Sequence, residues 1–169
     1  MANALFNRQL GLYASVHRDM RNRATHFVGI PIIVFSLLLV LTLWRVAPAG
    51  GEVSLSAVVA IVAVLGWLAL DLGIGLVLAV VMLAGWYGAE AMAAALGPSG
   101  TWGAFAALFV GGWAIQFLGH HYEGKRPALM DNIFQAFIGP MFLVAETMIE
   151  MGYRRDLANV MGEGDVTAR

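Results

Sequence analysis

The chain has a long central region that is almost free of charge. Between Phe27 and Gly119, its acidic and basic residues are Arg45, Glu52, Asp71 and Glu90. Over all 169 residues, 60% are hydrophobic and 12% are charged, whereas about 25% are charged in a typical soluble domain. So little charge cannot cover a soluble fold, and we predict an integral membrane protein.

The apolar region divides into runs long enough to cross a bilayer, for which a helix needs about 20 residues. Breaks occur at Arg45, at Asp71 and at the turn GPSG (97–100). The predicted spans are Phe27–Trp44, Leu55–Leu70, Leu72–Leu96 and Thr101–Gly119. A further run, 133–150, is a fifth span or an interfacial helix. We therefore predict one all-α domain over 1–169, an integral membrane helical bundle with four to five transmembrane helices.

Basic residues place both ends of this bundle on one side of the membrane. Arginines cluster before the first span, and the segment EGKRP follows the fourth. Short loops rich in Lys and Arg stay in the cytoplasm. An even number of spans between the two basic segments puts both of them on that side. We expect a bacterial inner-membrane protein, or a protein of the endoplasmic reticulum in a eukaryote. Segment 1–26 would lie on the cytoplasmic surface, and 151–169 would form a tail.

All four histidines lie at the predicted cytoplasmic ends of spans. His17 and His26 precede the first span, and His120 and His121 follow the fourth. The sequence has no cysteine, so imidazole and carboxylate are the strong metal ligands that remain. A metal site shared by the two pairs is one hypothesis. The alternative is that the histidines simply extend to the membrane interface or bind lipid phosphate.

The spacing of His17 and His26 requires a break in the helix. Nine residues, at about 100° per residue, would direct the two rings to opposite sides of one continuous helix. We predict an N-terminal interfacial helix, amphipathic, from about residue 6 to residue 20. A new helix then begins with Asn22 as its N-cap.

The second histidine pair stands at the end of the fourth apolar run. His120 and Glu123 are three residues apart, so they share one helix face if the helix continues. His121 points about 100° away from His120. Both histidines can bind one ion only if the helix unwinds at this point.

Two motifs in this order resemble the Mpo1-like family of membrane proteins. The first motif matches at Tyr13, His17, Asn22, His26, Gly29 and Pro31. The second matches at Gln116, Gly119, His120, Glu123, Lys125, Arg126, Pro127, Ala128, Gly139 and Pro140. Together with the apolar spans between them, the motifs cover most of the chain.

The resemblance implies an Fe(II)-dependent dioxygenase that removes one carbon from 2-hydroxy fatty acids. Its partners would be the 2-hydroxy fatty acid, O2 and membrane lipids, and we expect no nucleic acid. The implied iron ligands are His17, His26 and His120, with His121 as the candidate for a fourth. The implied catalytic residues are Glu123 and Asn22, and the implied substrate contacts are Lys125, Arg126, Tyr13 and Gln116.

Two other functions remain open at the level of the sequence. A bis-histidine haem protein would use two of the histidines as axial ligands. A non-enzymatic transporter or lipid-binding scaffold would need polar groups near the middle of the bilayer, where the sequence offers Glu90 and Asp71.

Overall fold

A computed structural model describes residues 3–47, 50–125 and 132–162. Within these ranges the chain is mostly helical, which confirms the predicted all-α class. The helices are α1 (Ala4–Ser15), α2 (Met20–Leu41), α3 (Leu55–Leu70), α4 (Leu72–Glu123), α5 (Phe134–Glu150) and α6 (Arg155–Met161). Two short antiparallel strands, β1 (Arg45–Val46) and β2 (Val53–Ser54), connect α2 to α3.

Helix α4 reverses direction at Gly97. This residue has φ 65° and ψ 176°, a conformation that is essentially restricted to glycine. Before it, Glu90 forms an ion pair with Arg45 at 2.7 Å. After it, Trp102 packs against Trp44 with ring centroids 5.9 Å apart. Because both halves of α4 contact the residues that directly follow α2, the chain turns back at Gly97, as the GPSG segment predicts.

The helices α2, α3 and the two halves of α4 therefore alternate in direction. We call the end that holds the strands and Gly97 the far end, and the end that holds α1 the near end. At the far end, the Leu55 N–H donates to the Trp44 carbonyl at 2.9 Å. At the near end, the Asn3 N–H donates to the Leu70 carbonyl at 3.2 Å. Helix α3 thus runs from the far end to the near end.

Polar side chains fix where the helices begin. The N-caps of α1, α3 and α4 are Asn3, Ser54 and Asp71, and each accepts a hydrogen bond from a backbone N–H in the first turn. For α2 the N-cap is Asp19, which accepts from the Arg21 N–H at 2.8 Å. The prediction of Asn22 as the N-cap is therefore wrong, because Asp19 satisfies this role one turn earlier. The first helix also ends earlier than predicted, at Ser15.

A buried ion pair joins the C-terminal part of the chain to the near end. The Arg154 guanidinium donates to both carboxylate oxygens of Asp71, at 2.9 and 3.0 Å. Burial by itself raises the pKa of Asp71, but Arg154 and the Ile74 N–H hold that pKa below its usual range. The segment predicted as a tail, 151–169, thus contains an ordered helix, α6, and its last residues, 163–169, lie outside the described ranges.

Helix α5 packs across the near end. Hydrogen bonds connect α5 to three other helices. They join Phe137 to Trp67 on α3, Glu146 to Arg23 on α2, and Gln135 to Gln9 on α1. These partners belong to the near halves of their helices. A fifth span or an interfacial helix in segment 133–150 stays a prediction.

Two of the described helices are long and apolar enough to cross a membrane. Their most apolar windows have a mean hydropathy of 2.3 in α2 and 2.0 in α4. Helix α3 is apolar but shorter, with 16 residues. In those windows only 33% and 28% of the residues are buried, so most residues there are at least partly exposed. The number of spans, four to five, stays a prediction.

Candidate metal centre

Three histidines from separate parts of the chain meet at the near end. His17 lies in the turn between α1 and α2, His26 lies in α2, and His120 lies in the last turn of α4. One potential ligand nitrogen from each lies within 4.8 Å of the others. All three residues are buried. The two histidine segments thus converge, as the sequence predicts.

Backbone carbonyls fix the proton positions of two of the rings. The Nδ1 of His17 lies 2.7 Å from the Tyr13 carbonyl, and the Nδ1 of His26 lies 2.8 Å from the Asn22 carbonyl. Because a carbonyl can only accept a hydrogen bond, each Nδ1 carries the proton. In a neutral imidazole, the other nitrogen, Nε2, then presents a lone pair. Such hydrogen bonds are typical of metal-binding histidines.

The two lone pairs face each other. The Nε2 atoms of His17 and His26 are 3.0 Å apart, and a cation between them would relieve their repulsion. Metal–nitrogen bonds of ~2.1 Å that meet at about a right angle separate two ligand atoms by ~3.0 Å. The Nδ1 of His120 is buried and has no hydrogen-bond partner in the described part of the chain. The donor set therefore fits a metal ion.

The same distance argues against His17 and His26 as the two axial ligands of a haem. Axial ligands lie on opposite sides of the iron, so bonds of ~2 Å would hold their nitrogens ~4 Å apart. The spacing of His17 and His26 is instead that of neighbouring ligands on one ion.

Burial keeps the His17 ring neutral. Desolvation, with a smaller contribution from the neighbouring His26, lowers the pKa of His17 to about 3. The Tyr13 ring stacks on His17 with centroids 4.1 Å apart and planes within 3° of parallel. Burial also raises the pKa of Tyr13, so its hydroxyl stays protonated. A neutral imidazole is the form that binds metal ions.

A glycine allows the two ligand-bearing helices to approach. Gly119 on α4 faces Thr25 and Asn22 on α2, and a Cβ at Gly119 would overlap the Thr25 Oγ1 and lie 2.5 Å from the Asn22 Oδ1. His120 and His26 are the next residues along their helices. The approach at Gly119 therefore sets the distance between these two ligands.

Comparison with known proteins shows the family of the chain. A family model described as 2-hydroxy-palmitic acid dioxygenase Mpo1-like matches residues 4–151. The chain belongs to the Mpo1-like family. It is also similar to the 2-hydroxy-palmitic acid dioxygenase MPO1 of Saccharomyces cerevisiae, with 30% identity over 147 residues, which cover 86% of this chain and 80% of the yeast protein. No solved structure matches the chain.

In this Mpo1-like chain, Glu123 ties the end of α4 to the turn that carries His17. Its carboxylate accepts hydrogen bonds from the backbone N–H groups of Arg18 at 3.0 Å and Asp19 at 2.8 Å. It also accepts one from the side-chain amide of Asn22 at 3.2 Å. These contacts hold the histidine-bearing segments together. A catalytic role for Glu123 and Asn22 stays a prediction.

The structure does not bring His121 or Lys125 into the histidine cluster. Because α4 continues to Glu123, His121 points away from His120 and is exposed. The Nζ of Lys125 donates to the Ser15 carbonyl at 2.8 Å, at the last turn of α1. Arg126 lies outside the described residues.

An apolar cavity of about 330 Å³ opens from the cluster. Tyr13 and Gln116, both predicted to contact substrate, are in its wall. Its lining extends on α2 from His26 to Leu37 and on α4 from His120 back to 109. At ~1.5 Å per residue, each stretch is roughly 16 Å long, close to half of a ~30 Å hydrocarbon core. The cavity suits a long acyl chain whose polar end lies at the histidines.

Three residues near the site were not predicted from the sequence. Gln135 is buried and lines the cavity, and Arg23 and Glu146 form an ion pair beside His17. A signal for Glu146 was present, because it is a carboxylate inside the apolar run 133–150. Its partner is far away in sequence, so the run alone could not show the pair.

The close approach at Gly119 can be tested by adding one methyl group. We expect Gly119→Ala to lower the free energy of unfolding by about 1–3 kcal/mol, because the new Cβ overpacks the contact between α2 and α4. Gly111→Ala is the matched control, since its Cβ would meet nothing within 4 Å. Unfolding in detergent, followed by circular dichroism, gives both values. Equal stability of the two variants would contradict the tight approach.

Proposed function

We propose that this Mpo1-like protein is an Fe(II)-dependent dioxygenase that shortens 2-hydroxy fatty acids by one carbon at a membrane surface. The observation that carries the proposal is the pair of unprotonated Nε2 atoms of His17 and His26, 3.0 Å apart at one end of an apolar cavity. The name of the yeast relative, a 2-hydroxy-palmitic acid dioxygenase, supports the substrate class.

His17, His26 and His120 would hold the iron, and three imidazoles leave further coordination positions open. When bound, Fe(II) would supply redox chemistry with O2 and a Lewis-acid site for the substrate's carboxylate and hydroxyl. The protein contributes the orientation of the rings, which the carbonyls of Tyr13 and Asn22 fix. The burial of the rings limits the access of water to them.

The cavity would hold the acyl chain with its carboxylate towards the histidines. Apart from the histidines, the polar side chains in its described lining are Tyr13, Gln116 and Gln135. The Tyr13 hydroxyl is a hydrogen-bond donor for a carboxylate oxygen, and we assign Gln116 the same role through its amide. Lys125 lies at the same end of the bundle, and we propose that it and Arg126 attract the carboxylate from the interface.

The proposed reaction breaks the bond between C1 and C2 of the 2-hydroxy acid. C1 leaves as carbon dioxide, C2 becomes the carboxyl carbon of the shorter acid, and O2 is reduced to give water as the other product. The 2-hydroxyl is required because it places C2 closer to the oxidation level of the product. A fatty acid without that hydroxyl is expected not to be shortened.

We further propose that α2, α3 and the two halves of α4 cross the membrane, with the near end in the cytoplasm. The alternating directions of these helices and the exposed apolar side chains of α3 and α4 support four spans. The basic segments at the near end support its cytoplasmic location. A lipid substrate has its polar end at the membrane interface, which is where this arrangement puts the histidines.

His120→Ala should abolish the oxygen-dependent shortening of 2-hydroxypalmitic acid and leave the protein folded. The substitution removes one of three ligands at a helix end, while the packing of the apolar helices is unchanged. Product formation is measured by mass spectrometry, with Fe(II) added or chelated and with palmitic acid as the second substrate. Circular dichroism in detergent checks the fold.

The matched control is His121→Ala, which removes the neighbouring imidazole outside the cluster. We expect this variant to retain most of the activity. Loss of activity in His121→Ala alone would contradict the three-histidine site. A wild-type protein that converts neither acid, or a fully active His120→Ala variant, would contradict the dioxygenase assignment.

The proposed membrane topology predicts which positions a water-soluble thiol reagent can reach. Cysteines introduced at Gly51 and Ser99, both at the far end, should be labelled only from the side opposite the cytoplasm. A cysteine at Met20, an exposed near-end position, should be labelled only from the cytoplasm. Labelling of all three positions from the same side would contradict four spans.

A further inference from the structure

His17 differs from the other two histidines in what holds its backbone. His26 and His120 lie within α2 and α4, where helical hydrogen bonds fix the main chain. His17 lies between Ser15, where α1 ends, and Met20, where α2 begins. A ligand in such a turn is placed accurately only if other groups fix the turn.

Arg23 fixes the main chain at His17. Its Nε donates to the His17 carbonyl at 2.9 Å, while its Nη1 donates to the Glu146 carboxylate at 2.8 Å. Both side chains are largely buried, with 19% exposure for Arg23 and 5% for Glu146. One guanidinium thus connects α5 to the backbone of His17.

We propose that Arg23 and Glu146 are positioning residues for the metal centre. Glu146 orients the Arg23 guanidinium, and Arg23 holds the His17 carbonyl, which keeps the His17 Nε2 directed at His26. This inference rests on the proposed metal site. It gives α5, which supplies none of the three histidines, a role in metal binding.

Other ion pairs in the described part of the chain do not make such a connection. The Arg45–Glu90 pair is at the far end, with an N–O distance of 2.7 Å, and the Arg154–Asp71 pair joins α6 to the start of α4. Neither has a described hydrogen bond to a histidine. Among the ion pairs of residues 3–47, 50–125 and 132–162, only the Arg23–Glu146 pair has a guanidinium that also donates to the main chain of a proposed ligand.

The geometry also requires arginine at position 23. The planar guanidinium presents several N–H donors in fixed directions, so it can serve a carboxylate and a carbonyl at the same time. A lysine ammonium can keep the charge pair with Glu146 but has no second donor held in the direction of the His17 carbonyl. The Arg23→Lys variant therefore keeps the ion pair but loses the hydrogen bond to the His17 carbonyl, so the two contacts can be tested separately.

The experiment compares metal binding by the full-length protein and its variants in detergent. Binding of Co(II), a spectroscopic substitute for Fe(II), is followed by the visible absorption of the complex. We expect Glu146→Gln and Arg23→Lys each to weaken binding by roughly 10- to 100-fold, as loss of residues that orient metal ligands does elsewhere. Both should also change the shape of the Co(II) spectrum. The double variant should lose less Co(II) affinity than the two single variants lose together, because both residues act through one contact.

Glu90→Gln is the matched control, because it removes one charge from the far-end ion pair of similar length. It should leave the Co(II) affinity and spectrum unchanged, and the unfolding temperature of each variant is recorded alongside. If the variants at 23 and 146 bind Co(II) as tightly as Glu90→Gln does, the positioning role is overturned and the metal site stands. If the wild type itself binds no metal, the proposed function and this inference both fall. If Glu146→Gln does not fold, Arg23→Lys decides the question alone.

Discussion

The packing of α2 against α4 at Gly119 determines the position of two of the three histidines. The absence of a side chain at Gly119 lets Thr25 and Asn22 lie directly against α4. His120 follows Gly119, and His26 follows Thr25, so both rings emerge beside this contact. A larger residue would separate the helices and with them the rings. A spacing suited to one metal ion therefore depends on this contact.

The third histidine depends on elements that come later in the chain. The turn that carries His17 is held by Glu123 from α4 and, through Arg23, by Glu146 from α5. The contacts made by Glu123 and Glu146 join residues that are far apart in sequence, so they form only in the tertiary structure. The site is thus a product of the tertiary structure, and metal binding is expected to stabilise the folded state over the unfolded one.

Local patterns predicted the helices, and long-range packing decided the details of the site. The bounds of Leu55–Leu70 and the reversal at Gly97 follow from apolar run length and turn residues, which are properties of short segments. Both Asp19 and Asn22 are suitable N-caps for α2, and the local sequence does not show which of them takes that role. The selection of His120 over His121 required knowing that α4 stays helical to its end. The partner of Glu146 could be found only from the packed structure.

The iron content of the purified protein tests the central claim most directly. The full-length chain would be loaded anaerobically with Fe(II), freed of excess metal, and measured for bound iron and by X-ray absorption at the iron edge. The three-histidine centre predicts one iron ion per chain, with imidazole nitrogens at about 2.0–2.2 Å. A protein that retains no iron, or iron without imidazole ligands, would contradict the account.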